Sequence, residues 1–155
     1  MKMIITHGLP GSGKSTWAEN LTDTVRVNRD DLRTELFGAD YHKNAPMGWA
    51  EKKVTEVQVA RITEGLSAGK NVISDDTNLV ARSVRSLVDL AVNLGADVEH
   101  VYFDVEVDEC IRRQGGRDRK VPSEVIEKMA LKGVRSDRKT VKRFHTNKDG
   151  FLYSE

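Results

Sequence analysis

A single cysteine among 155 residues, Cys110, excludes an internal disulfide, and no Cys or His stands near it at a zinc-site spacing. Its expected place is the core, beside Val107 and Ile111. Proline is nearly as scarce, at three residues, and no tract is compositionally biased, so a disordered chain is not expected. No run approaches the roughly 18 to 20 apolar residues that span a bilayer. Met1 to Thr6 lacks the charged, apolar, small-residue layout of a signal peptide, so a cytoplasmic location with no membrane partner is expected. His7, His42, His100 and His145 show no metal-ligand spacing and receive no role, and Trp17 and Trp49 read as core or rim packing.

What is present fits one domain over residues 1–155, a size that buries about two thirds of the surface the unfolded chain exposes. The net charge of +1 hides a division. Residues 1–110 hold 12 Lys/Arg against 18 Asp/Glu, whereas 111–155 hold 13 against 6. A basic final third attracts phosphates of a nucleotide or of a nucleic acid, though such runs are also ordinary solvated faces.

Met3 to Thr6 is a short apolar run that stops at Gly8, and Ser15 to Leu21 continues as helix, giving strand, glycine loop, helix. Val25 to Val27 is a second strand, followed by a helix over Asn28 to Phe37 capped by Asn28, Asp30 or Asp31. A loop to Gly48 precedes a long helix over Trp49 to Ala68, which Gly69 ends. Val72-Ile73 is a strand running into the turn Ser74 to Asn78. Val80, Val84, Leu87, Val88, Ala91 and Leu94 recur at spacings of three and four, the mark of an amphipathic helix. Val98 to Val105 reads as strand, and Val107 to Gln114 and Val125 to Lys132 as helices. A basic tail, about 134–155, carries only Phe151 to Tyr153 as a possible short strand. Strands alternating with long crossovers predict an α/β fold, doubly wound around a parallel sheet. Ligands sit beyond the carboxyl ends of such strands, so Gly8 to Thr16, Asn28 to Arg33 and Ser74 to Asn78 should meet in one crevice.

Four segments carry chemistry. Gly8-Leu9-Pro10-Gly11-Ser12-Gly13-Lys14-Ser15, followed by Thr16, satisfies G-x-x-x-x-G-K-[ST] at every fixed position. Its glycines let backbone N–H groups surround phosphate oxygens, Lys14 bridges β- and γ-phosphates, and Ser15 places its hydroxyl on magnesium. The pattern thus implies ATP with Mg. In Asn28-Arg29-Asp30-Asp31-Leu32-Arg33, a carboxylate suits a base on an attacking hydroxyl and an arginine a turn later suits an acceptor phosphate, although an acidic helix N-terminus has the same composition. Asp75-Asp76-Thr77-Asn78 stands where P-loop enzymes often keep a metal-ordering or acceptor-contacting acid, and either aspartate can face inward, although a turn capped by Asp and Asn side chains has the same composition. Arg112 through Lys120 puts arginines around two glycines, a plan suited to a lid, about 112–122, that closes over a triphosphate, although a solvated basic loop has the same composition.

Together, Gly8 to Trp17, Asn28 to Arg33, Asp76-Thr77-Asn78 and Arg113 through Pro122 resemble the kinase domain of the phage polynucleotide kinase family, over about residues 1–134. The likeness implies ATP-dependent phosphorylation of nucleic acid 5′-hydroxyl ends, DNA or RNA. It assigns Lys14 and Ser15 the phosphate and metal roles and Asp30 the general base. Arg33 becomes the grip on the acceptor phosphate, and Asp76 the essential acid that orients Arg33 or the metal. Asp76, Thr77 and Asn78 fall on the acceptor side. Arg117, with Arg113 a helical turn before it, matches the lid arginine on the β- and γ-phosphates, and a one-residue gap before Pro122 keeps Arg119 as a competitor. Asp75 doubles the acid of the family pattern. No Asp-x-Asp-x-Thr segment is present, so 3′-phosphatase activity is not expected.

A small-molecule kinase shares the loop and differs only at the acceptor site. A GTP-binding switch is disfavoured: D-x-x-G is absent, and Asn147-Lys148-Asp149-Gly150 misses N-K-x-D by one place.

Overall fold

The computed structural model describes residues 1–41, 47–116, 121–132, 140–146 and 152–154. Six strands, β1 (Lys2–His7), β2 (Thr24–Val27), β3 (Asn71–Ser74), β4 (Asp97–Asp104), β5 (Thr140–Thr146) and β6 (Leu152–Ser154), form one sheet in the order β2-β3-β1-β4-β5-β6. All neighbours are parallel except β5 and β6. The described helices are α1 (Lys14–Glu19), α2 (Arg29–Phe37), α3 (Met47–Ser67), α4 (Ala81–Asn93), α5 (Val107–Gln114) and α6 (Ser123–Lys132).

Successive residues of a strand point to opposite faces, and β1, β3 and β4 are apolar on both. Met3, Ile5 and Val72 pack with Leu32 of α2, Val54, Ile62 and Leu66 of α3, and Leu87 and Ala91 of α4. Ile4, Ile73, Val101 and Phe103 pack on the other side against Ala18 and Trp17 of α1. The doubly wound expectation is met. Cys110 is fully buried among Leu9, Leu79, Val105 and Ile126, with Val107 and Ile111 beside it. Its surroundings push the thiol up to about 11, chiefly by burial, so it is an inert core residue.

Two expectations about elements need correction. Helix α1 ends at Glu19, not at Leu21, because Asn20 turns its side-chain amide onto the Thr16 carbonyl at 2.7 Å and closes the last turn. The larger miss is β5. Residues 140–146 fell inside the supposed polar tail, yet they run parallel to β4 in the sheet, with Val101 opposite Lys142 and Phe103 opposite Phe144. Thr140 to Thr146 holds only two apolar residues, so it lacks the hydrophobic signal of β1 or β3. Its place comes from backbone pairing with a strand some 40 residues earlier.

The topology also builds the crevice. Because β3 lies between β1 and β2, the turn that follows β3 sits between the loop after β1 and the start of α2. Gly8 N donates to the Thr77 carbonyl at 3.1 Å, and Asp75 N donates to the Val27 carbonyl at 3.0 Å. The three segments that carry chemistry therefore meet.

Candidate active site

The loop from Gly8 to Gly13 turns sharply enough to require glycine. Gly11 and Gly13 hold φ of 85° and 99°, a left-handed conformation that disfavours other residues. A Cβ on Gly11 would stand 2.7 Å from the Cys110 carbonyl oxygen and 2.9 Å from Gln114 Nε2 of α5. Lys14 is buried, and its Nζ donates to the Leu9 carbonyl at 2.7 Å and to Ser12 Oγ at 3.4 Å across the loop. Ser15 is half-buried and Thr16 exposed at the start of α1. Arg113 reaches the same loop from α5, donating to the Gly11 carbonyl at 3.0 Å, while Glu109 holds its Nε at 2.9 Å. Arg117 and Arg119, the two lid candidates, lie outside the described residues.

The two aspartates after β3 have separate tasks. Asp75 is buried and faces both β2 and the loop. Arg26 donates to its Oδ2 at 2.6 Å and also to Asp31 at 2.7 Å. Its Oδ1 is buried with no hydrogen-bond partner among the described residues. Burial pushes the Asp75 carboxyl up, against Arg26, the Lys14 charge and the Ser15 hydroxyl, which pull it down. Asp76 points the other way. Its Oδ1 accepts from the Arg29 backbone N at 2.8 Å at the first turn of α2, and Ser74 Oγ lies 3.3 Å from Oδ2. Withdrawal from water, with the Asp75 charge adding to it, lifts its carboxyl to about 6 although the Arg29 amide opposes.

Asn78 is the staple of this turn, not a free arm. Its backbone takes φ of 47°, and its Nδ2 donates to the Thr6 carbonyl at 2.7 Å. The Asn78 carbonyl in turn accepts from His7 Nδ1 at 3.1 Å, which fixes the proton on that nitrogen and leaves Nε2 to accept from His100 Nδ1 at 2.9 Å. Both imidazoles are buried, and neither histidine carries any sequence signal. Thr77 contributes its carbonyl to Gly8, as noted above.

On α2 the choice among cap residues is settled. Asn28 Oδ1 accepts from Asp31 N at 2.9 Å, and its amide donates to the Asp75 carbonyl at 2.6 Å. Asp30 is thereby free of capping. Its side chain, 59% exposed, accepts from Arg33 Nη1 at 2.7 Å one turn on. Asp76 is expected to orient Arg33 or the metal; Arg33 is held by Glu51 of α3, through Nη2 at 2.6 Å and Nε at 2.9 Å. Tyr41 Oη donates to the same carboxylate at 2.5 Å, and Arg29 Nη2 lies 3.3 Å away. Arg29 also ties α2 to Thr55 at 3.0 Å and Gln58 at 2.8 Å. Glu51 is the residue that sequence reasoning missed. The Arg33 guanidinium, with Tyr41 and Arg29, holds its carboxyl down at about 2, and the same partnership raises Arg33.

Among the described residues no three His, Cys, Asp or Glu side chains gather as a metal cage, and none of their helices is long and apolar enough to cross a membrane.

A family model described as AAA domain matches residues 3–133. The chain is 30% identical over 142 residues to the putative bifunctional polynucleotide kinase/RNA ligase of Autographa californica nuclear polyhedrosis virus, covering 84% of this chain and 20% of that protein. It is 28% identical over 131 residues to L-seryl-tRNA(Sec) kinase of Methanococcus maripaludis, covering 82% and 50%. Among solved structures, a chain of the Pnkp1/Rnl/Hen1 RNA repair complex superposes with a TM-score of 0.71 at 33% identity, over 84% of this chain and 43% of that one. The chain thus spans between a fifth and a half of the length of the curated relatives it matches.

Proposed function

The chain belongs to the AAA-domain family and has the P-loop kinase fold, and we propose that it transfers the γ-phosphate of ATP to the 5′-hydroxyl end of a polynucleotide. The observation that carries this reading is the group Asp30, Arg33 and Glu51, joined through α2, whose first turn bonds Asp76 in the turn that also bonds Gly8 of the P-loop. Relatives named for polynucleotide kinase and RNA repair support the acceptor class.

Asp30 uses Oδ1 on Arg33, which leaves Oδ2 to accept the proton of the attacking hydroxyl. A guanidinium has five N–H groups. Glu51 takes one on Nε and one on Nη2, and Asp30 takes one on Nη1, so one Nη1–H and one Nη2–H remain for oxygens of the acceptor's next phosphate. Such a site favours an acceptor with a 3′-phosphate over a bare nucleoside. Lys14 exchanges the Leu9 carbonyl for phosphate oxygens, and Arg113 stands at the loop's edge to join it. In-line transfer needs positioning and charge stabilisation more than covalent chemistry from the protein.

The residues present fit magnesium. Asp75 Oδ1 is a buried oxygen with no hydrogen-bond partner among the described residues, its carboxyl feels the Lys14 charge and the Ser15 hydroxyl, and Mg²⁺ takes few protein ligands when phosphates and waters complete its shell. Ser15 and Asp75 would hold the ion, which would supply charge neutralisation on the transferred group.

The test is label transfer from γ-labelled ATP with magnesium to a 5′-hydroxyl oligonucleotide, its 5′-phosphorylated copy and a free nucleoside. Label on the 5′-hydroxyl oligonucleotide alone is the expected result. Label on the nucleoside alone moves the assignment to a small-molecule kinase.

A further inference from the structure

A tryptophan at position 49 reads as core or rim packing, yet Trp49 is 64% exposed, more than any other large apolar residue among those described. It stands in the first turn of α3 against the ring of Phe37, at 5.6 Å between centroids and tilted by 59°. Phe37 in turn packs on Tyr41 at 5.5 Å, and Tyr41 fixes its hydroxyl on the Glu51 carboxylate that grips Arg33. The exposed indole is thus connected through a chain of contacts to the proposed acceptor-phosphate clamp. Phe37 follows Arg33 by four residues on α2, an advance of about 6 Å along the same helix face, away from Asp30. On α3, Lys52 and Lys53 lie three and four residues after Trp49, hence on its side of the helix, and both are exposed. Glu56 shares that side but sits 4.0 Å from Lys53, a loose and exposed pair.

An exposed, backed indole flanked by lysines is the composition of a stacking platform for a single-stranded nucleic acid: the ring takes a base face and the cations take the backbone. We propose that Trp49 stacks the second base of the acceptor strand, the one beyond the phosphate held by Arg33. This inference rests on the 5′-hydroxyl kinase reading and extends it, because it gives the site a preference for a strand over a mononucleotide. A partner protein on the same face is the competing occupant; the lysines and the link to Arg33 favour the strand.

The experiment compares the unaltered chain with Trp49→Ala and Trp49→Phe on two acceptors, a nucleoside 3′-monophosphate and a 5′-hydroxyl tetranucleotide. Trp49→Ala is expected to raise KM for the tetranucleotide about tenfold, the lower part of the range for deleting one base–aromatic stack. KM for the 3′-monophosphate and for ATP should stay unchanged, and Trp49→Phe should recover most of the loss. Equal KM changes on both acceptors, or none on either, overturn the platform while leaving the kinase reading intact. If the unaltered chain phosphorylates neither acceptor, the kinase reading fails, and intrinsic fluorescence then decides the platform alone. Saturable quenching by the tetranucleotide, absent in Trp49→Phe, supports it, and no quenching overturns it.

Discussion

Replacing Glu51 by Gln keeps the shape of the side chain and removes the charge that three donors share. The partners hold the Glu51 carboxyl at about 2, below the ordinary 4.5. At about 1.4 kcal/mol per unit that is roughly 3 kcal/mol in favour of the ionised form. The side chain is 31% exposed, and the Gln oxygen still accepts one hydrogen bond, so a loss of about 1–2 kcal/mol is expected at pH 7. For a chain of this length that is a fall in Tm of about 2–8 °C. The pH dependence gives the sign. A carboxyl depressed in the folded state contributes its stability in full above 4.5 and loses it as pH falls toward about 2, so wild type and variant should converge on acidification. Kinetically, Arg33 loses its side-on grip and swings toward Asp30. KM for an acceptor with a 3′-phosphate should rise about tenfold while KM for ATP holds. Thermal unfolding at pH 7 and pH 3, with initial rates at varied acceptor and varied ATP, checks both halves. An unchanged stability gap between the two pH values, or a parallel rise in KM for ATP, would refute the role given to Glu51.

Asp30→Asn should retain ATP affinity, measured by calorimetry, and lose turnover by about 10²-fold or more; near-normal turnover removes it as the base. Asp76→Asn tests the other carboxyl. Its folded value near 6 exceeds the ordinary 3.8, so the native state binds the proton longer and wild-type stability declines as pH climbs from 3.8 through 6. The Asn variant still accepts from the Arg29 amide, and denaturant unfolding should find it up to about 3 kcal/mol more stable than wild type at pH 7 with little difference near pH 4. Gly11→Ala forces a side chain into φ of 85° and toward the Cys110 carbonyl at 2.7 Å. A stability loss of about 1–3 kcal/mol and a weaker nucleotide Kd are expected, and an unperturbed variant contradicts the loop geometry described.

The sequence alone determined the phosphate loop, because each of its requirements is local: backbone angles at Gly11 and Gly13, a lysine and a hydroxyl at fixed offsets. It determined the helices whose apolar spacing is self-evident, above all α4, and the short apolar strands β1 and β3. From their alternation came the parallel sheet and the meeting of three segments in one crevice. Only the tertiary structure decided what depends on distant neighbours. Asp75 and Asp76 are adjacent and alike in sequence; Arg26 on one strand and the Arg29 amide on a helix separate their tasks. Glu51 sits in an ordinary charged stretch of α3, and its grip on Arg33 exists because α2 and α3 pack side by side. Trp49 is a residue type expected in a core, yet it is exposed while the next residue, Ala50, is fully buried, so the face it takes is set by what packs on α3. The strand Thr140–Thr146 has too little apolar content to announce itself and is held by hydrogen bonds to β4. Local patterns encode conformation, whereas which charge meets which, and which ring meets water, is fixed only when the sheet brings remote residues together.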